Sequence, residues 1–189
     1  MENIDIQNLV GQAFGVIALF FSCRRYFKKK RTEIMRLSLI AYLCYIVHYF
    51  LIGALAGAYT LIIAICRDSY IYQREKHHKK HRNRHLYNNF FVFILLFSVY
   101  ATAICLNISN PTNILPLAAG ITYLTFEWFT SNKTTLKFAG GLTTLPWLFY
   151  DIFSFSVPAM ITDTIGLISS ALGILKDKKL RKHKVKHNH

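Results

Sequence analysis

Three carboxylic acids stand in apolar surroundings in this chain: Glu127 in YLTFEWF, Asp151 in LFYDIF and Asp163 in AMITDTIG. A charge kept in such a stretch is costly, and it marks a bundle interior or a water-filled cavity. His48 has a similar setting, in YIVHYFLIG. A histidine beside a carboxylate can exchange a proton near neutral pH. His48, Asp151 and Asp163 are therefore candidates to converge and couple a proton. The competing reading is that each is hydrogen-bonded to backbone or to a tyrosine. Glu127 has other prospective partners. Arg24, Arg25 and Arg67 lie near the same depth, so Glu127 is expected either to form a structural ion pair with one of them or to serve as an inner gate that opens when that pair breaks.

Helical spacing groups further residues with these. Ser38, Tyr42, Tyr45 and Tyr49 recur at steps of four, three and four, which places them on one helix face. Thr143, Trp147, Tyr150 and Ser154 do the same. Gly57, Thr60, Ala64 and Arg67 form a small and polar stripe, as do Ala159, Thr162, Asp163, Gly166, Ser170 and Gly173. One reading is close helix packing, which small residues permit, as in Gly11-x-x-x-Gly15 and Gly53-x-x-x-Gly57. The other is a solute pocket with aromatic walls from Tyr45, Tyr49, Trp147 and Tyr150. His48, Asp151, Thr162 and Asp163 would supply its polar contacts, suiting a small ring-bearing or hydroxylated solute.

Other chemistries find no support. There is no glycine-rich phosphate loop, no zinc spacing and no nucleophile with a nearby base, so neither an enzyme nor a cofactor is expected. His77, His81 and His85 share a helical spacing, but the Lys and Arg around them repel a metal cation. Cys23, Cys44, Cys66 and Cys105 lie in apolar segments and are expected to be buried free thiols.

The elements that must position these residues follow from a contradiction. The chain is 53% hydrophobic yet carries a formal charge of +14. The charges are clustered, and seven apolar stretches lie between them: 7–23, 34–52, 54–72, 87–108, 112–130, 136–154 and 156–175. Such stretches suit helices crossing a hydrocarbon core about 30 Å thick. All 23 Lys and Arg fall in or beside RRYFKKKR, the loop at 73–86, SNKTTLK and the C-terminal tail. The alternate connections hold none. The positive-inside rule then predicts an N-terminus outside and a C-terminus inside. The basic run REKHHKKHRNRH is thereby read as a topology determinant that also attracts anionic lipid. Nucleic-acid binding is not expected, because no aromatic residues alternate with the basic ones to stack bases. The first apolar stretch follows an acidic segment and ends in basic residues, so it is expected to be a retained helix and not a cleaved signal.

Sliding the chain against itself by 102 residues superimposes apolar spans, basic loop and tight turn without a gap. Tyr26-Phe27 lands on Trp128-Phe129, Tyr45 on Trp147, His48 on Tyr150 and Thr60 on Thr162. The fold class is therefore an all-α polytopic membrane protein with seven transmembrane helices arranged as two parallel three-helix repeats. The first bundle covers 1–72 and the second 109–175. Between them lie the basic loop 73–86 and a linker helix 87–108, and a basic tail occupies 176–189.

This three-plus-one-plus-three plan resembles the SWEET, PQ-loop and nicotinamide-riboside-transporter superfold. Residues 15–68 look like the first half of the bacterial YgjV inner-membrane family: a basic loop, then His48-Tyr49-Phe50-Leu51-Ile52-Gly53, then Gly57 and a helix ending in Arg67. The second half is similar in outline, with Trp147 opening a W-x-x-[HY] element. The resemblance implies a multi-pass protein of the bacterial inner membrane. The function expected is a small-solute transporter or facilitator that works by rocking two bundles. The alternative is a receptor or assembly scaffold that uses its basic loops. The expected partners are the bilayer, an unidentified small solute and anionic lipid at the basic loops, and the sequence is compatible with a homo-oligomer.

Overall fold

A computed structural model of the chain describes residues 6–28, 31–77, 86–107, 110–129 and 133–186. Among the described residues the protein is all-helical, with seven α-helices. These are α1 (Ile6–Tyr26), α2 (Arg31–Leu51), α3 (Leu55–His77), α4 (Leu86–Leu106), α5 (Pro111–Phe129), α6 (Lys133–Phe153) and α7 (Val157–Lys186). A helix of 21 residues is about 31 Å long at 1.5 Å per residue. By length and apolarity three segments suffice to cross a bilayer on their own: Ile6–Arg25, Glu33–Leu51 and Val157–Leu175. Phe90–Leu106 is a shorter apolar helix.

Two helix ends run well past the sequence expectation. α3 continues to His77, so part of the loop expected at 73–86 is helical. α7 continues to Lys186, through most of the expected tail. Lys, Arg and Leu are good helix formers, and no Gly or Pro interrupts 174–186. Pro116 and Pro146 lie inside α5 and α6, where each lacks the N–H that would bond the carbonyl four residues earlier.

The packing has a regular plan. α2 packs on α1 and α3, and α6 packs on α5 and α7. The two groups meet where α1 touches α7 and where α3 touches α5, while α4 lies against α5 and α3. A shift of 102 residues turns the first of these junctions into the second.

The tight turns repeat at atomic detail. After α2, Ile52 N–H donates to His48 O, Gly53 N–H to Phe50 O and Ala54 N–H to Tyr49 O. After α6, Ser154 N–H donates to Tyr150 O, Phe155 N–H to Ile152 O and Ser156 N–H to Asp151 O. Each bond of the second turn is the first shifted by 102. The left-handed residue shifts with them: Gly53 has φ 76° and Phe155 has φ 52°. Gly53 thus serves the turn and not helix packing, since a Cβ there would meet nothing within 4 Å. Gly11 and Gly15 do pack closely. A Cβ on Gly15 would stand 2.9 Å from Pro158 Cγ and 3.0 Å from His48 Nδ1.

Polarity is distributed inside out. The fully buried side chains include His48, Thr60, Asp151, Ser156, Tyr100 and Tyr150. Large apolar residues face outward on every helix, among them Phe20, Leu43, Ile62, Phe91, Phe129, Phe149 and Leu172. A water-soluble fold reverses this, because exposed apolar surface costs free energy in water and none in lipid. The cysteines follow the same logic and correct the expectation of burial. Among the described residues all four are free; Cys66 and Cys105 are exposed and Cys23 and Cys44 half-buried.

Candidate functional site

The centre of the molecule is built where α2 meets α6 and α7. Their facing side chains come from the tyrosine face of α2, the Thr143–Trp147–Tyr150 face of α6 and the small polar stripe of α7. Tyr49 donates to Asp151 Oδ1 at 2.6 Å. These two residues are 102 apart, so a residue bonds its own counterpart in the other half. Tyr45 and Thr162 share a 2.5 Å bond. Thr162 gives its hydroxyl proton to Pro158 O at 3.0 Å, which makes Tyr45 the donor in that bond. Tyr49 stacks on Tyr45 and lies 6.1 Å from the Trp147 ring and 6.0 Å from that of Tyr150. The Asp163 carboxyl lies beside that of Asp151, and the Oδ2 atom of each is buried without a hydrogen-bond partner.

Two further bonds cross between the halves near the tight turns. His48 Nδ1 lies 2.7 Å from Gly11 O, and its Nε2 lies 2.7 Å from Ser156 Oγ. A carbonyl only accepts, so Nδ1 carries hydrogen and the neutral ring accepts from Ser156 through Nε2. Tyr150 Oη accepts from Gly57 N–H at 2.9 Å. The closeness is steric as well: a Cβ on Gly57 would stand 2.8 Å from Tyr150 Cε1 and 3.2 Å from the Tyr49 ring. His48 and Tyr150, counterparts at 102, each brace the start of the third helix of the opposite half.

Below this braced layer lies a cavity of about 700 Å³. Tyr45, Tyr49, Trp147, Thr162 and Asp163 line one end. Ser22, Arg25, Lys28, Arg67 and Asp68 line the other, toward the basic connections. Ser38, Tyr42, Thr60, Ala64, Thr143, Gly166 and Ser170 line the walls between. Most residues of the four stripes read from the sequence therefore face one space; Gly57, Tyr150, Ser154 and Gly173 do not line it.

The candidate residues divide accordingly. Tyr45, Tyr49, Trp147, Thr162 and Asp163 face the cavity, whereas His48, Tyr150 and Asp151 are buried behind it in the braced layer. His48 does not join the carboxyls: both its ring nitrogens are taken by Gly11 and Ser156. Of the proposed gate, Arg25 and Arg67 line the cavity, and Arg24 is exposed. Arg25 Nη1 donates to Ser38 Oγ at 3.3 Å. Arg67 is buried, bonds its neighbour Asp68 at 2.7 Å and lies 4.7 Å over the Tyr123 ring. The Glu127 side chain lies outside the described residues, as do His81 and His85. Among the described residues no three His, Cys, Asp or Glu side chains gather as metal ligands.

Sequence reasoning missed Asp68, Tyr123 and Ser156. Asp68 was legible as an acid adjacent to a buried Arg. Tyr123 stands four residues before Glu127 and so shares its helix face. Ser156 precedes Val157-Pro158, a helix-start signature, and its carbonyl accepts from Met160 N–H.

Comparison with curated proteins finds no match, and comparison with solved structures finds none. A family model does match, over residues 9–181, and it describes a bacterial inner membrane protein. That stretch contains the braced layer, the cavity lining and nearly all of the seven helices. The outward apolar surface agrees with the location this family implies, and the chain belongs to the Imp-YgjV family of bacterial inner membrane proteins.

Proposed function

We propose that this protein carries a small polar solute across the inner membrane by alternating access between two three-helix bundles, α1–α3 and α5–α7, with α4 as linker. In this reading all seven helices span the bilayer in the SWEET-like plan, with the N-terminus outside and the basic connections in the cytoplasm. The observation that carries it is the cavity of about 700 Å³, lined by polar and aromatic groups of both bundles. Tyr49–Asp151, His48–Ser156 and Tyr150–Gly57 close it at the outer end. Shift-matched turns support two bundles of like orientation, and repeats of that kind place a solute site between them. The aromatic floor of Tyr45, Tyr49 and Trp147 offers a flat apolar surface, with Thr162 and Asp163 beside it for polar groups. Arg25, Lys28 and Arg67 stand on the cytoplasmic side, where anionic lipid also attracts the basic loops.

The test is a thermal-shift screen of the detergent-purified protein against sugars, nucleosides, vitamins and amino acids, because a ligand of the folded state raises Tm. Gly140→Leu is the control. Gly140 lines the cavity, and a Cβ there meets only Ser170 Oγ, at 4.0 Å. A hit that vanishes in Gly140→Leu and in Trp147→Ala, followed by uptake into liposomes, is expected. Hits that persist unchanged in the filled variant would place binding elsewhere and sink this reading.

A further inference from the structure

We propose that Asp151 and Asp163 form a single-proton site, a carboxyl–carboxylate pair that exchanges its proton through the cavity and sets the strength of the Tyr49 bond between the two halves. Its use in transport rests on the proposed function; its existence does not.

The geometry separates the two acids by role. Asp151 is 1% exposed and does not line the cavity; its Oδ1 holds Tyr49 of the other half at 2.6 Å. Asp163 lines the cavity, with its carboxyl beside that of Asp151. The Oδ2 atoms of both are buried and receive no donor from another residue. A hydrogen bond between two carboxyl groups needs a hydrogen, which neither supplies when both are ionised. Two anions in contact away from water also repel strongly.

Among the described residues the surroundings supply no substitute for that proton. From α2, Tyr45 and Tyr49 face the pair, and Tyr49 is committed as the donor to Asp151. From α6, Tyr150 faces Asp151 and accepts from Gly57. From α1, Arg25 acts on Asp163 across the cavity while bonded to Ser38. His48 is turned toward Gly11 and Ser156. A divalent cation would require more oxygen ligands than two carboxyls provide, and among the described residues no third acid, His or Cys joins them.

The coupling follows from the acceptor. With one shared proton, Asp151 retains anionic character and accepts from Tyr49 in a charge-assisted bond, roughly twice as strong as a neutral one. A second proton makes Asp151 a neutral acceptor and weakens the brace. Acidification therefore loosens the outer closure, with Asp163 as the port of entry.

Infrared difference spectroscopy of the purified protein tests this without any solute. At neutral pH the wild type is expected to show a protonated-carboxyl C=O band that shifts in heavy water. That band should be absent in both Asp163→Asn and Asp151→Asn. No such band in the wild type, or a band that survives in both variants, would overturn the proposal. Should the Asn variants not fold, Tyr49→Phe retains the pair but removes its donor. The band must then change frequency, and an unchanged band overturns the proposal. Melting in sodium chloride against choline chloride separates the proton from a metal cation. Equal Tm supports the proton, and a sodium-specific rise lost in Asp163→Asn overturns it. A missing solute hit with the band present would defeat the transport reading alone.

Discussion

The turn between α2 and α3 and the turn between α6 and α7 have the same backbone and opposite chemistry. Their hydrogen bonds coincide at an offset of 102, yet almost every functional side chain differs. Tyr49 faces Asp151, His48 corresponds to Tyr150, Tyr45 to Trp147, Gly53 to Phe155 and Gly57 to Ala159. Thr60 and Thr162 are exceptions: both bond the carbonyl four residues back, Ala56 O and Pro158 O. The lesson is that a repeated scaffold leaves its axis free to be asymmetric. Two copies of tyrosine at position 49 and its counterpart would form a neutral pair. Tyrosine against aspartate instead makes a directional, titratable contact.

The comparison can be broken most strongly at Gly57. Its counterpart Ala159 carries a Cβ, but at Gly57 that atom would meet Tyr150 Cε1 at 2.8 Å. Gly57→Val is expected to destabilise by about 3 kcal/mol through overpacking, and Ala159→Gly by about 1 kcal/mol. Thermal melting of both variants in detergent checks the asymmetry; equal losses would contradict it.

Next comes the axis itself. Tyr49→Phe leaves buried Asp151 Oδ1 without its donor, and a loss of about 1–2 kcal/mol is expected. A double-mutant cycle with Asp151→Asn should show coupling between the two sites, and strict additivity would refute the contact. Ser156→Ala removes the partner of His48 Nε2, with an expected loss of about 1 kcal/mol. The corresponding change in the first half, Ala54→Ser, should leave Tm nearly unchanged, because Tyr150 bonds Gly57 N–H and not position 54.

The smallest effect sharpens the comparison in the opposite direction. Phe155 holds φ 52° where its counterpart is glycine, a conformation that L side chains adopt at a cost. Phe155→Gly should raise stability by about 0.5–1 kcal/mol, and Gly53→Ala should lower it by a similar amount. A Tm that falls for Phe155→Gly would show that the outward phenyl ring contributes more than the backbone relief.

Much of this was legible from residue order. The helical steps of α2, α3, α6 and α7 predicted faces that do line one cavity, because a helix fixes which side chains share a side. The alternation of apolar spans and basic loops placed the turns, and the offset of 102 predicted that they would match. What residue order left open was depth and partner choice. His48 and Asp151 lie one residue apart in the repeat register, which made them candidates to converge; the competing reading, bonds to backbone or to a tyrosine, is the one the structure gives. Their bonds diverge because His48 points across α1 toward Gly11 while Asp151 meets Tyr49 at the axis. Glu127 was expected to pair with Arg24, Arg25 or Arg67, and its side chain lies outside the described residues; Arg67 also pairs with adjacent Asp68 at 2.7 Å.

The sequence by itself determined the helices, the outward apolar surface and the family, since these depend on local periodicity and composition. Only the tertiary structure decided which polar groups meet. Tyr49 and Asp151 are 102 residues apart, and no local pattern encodes a contact that arises where two halves cross. The same holds for the split between a braced layer and an open cavity. It depends on the few tenths of an ångström by which Gly57 admits Tyr150 and Gly15 admits His48, distances that only packing sets.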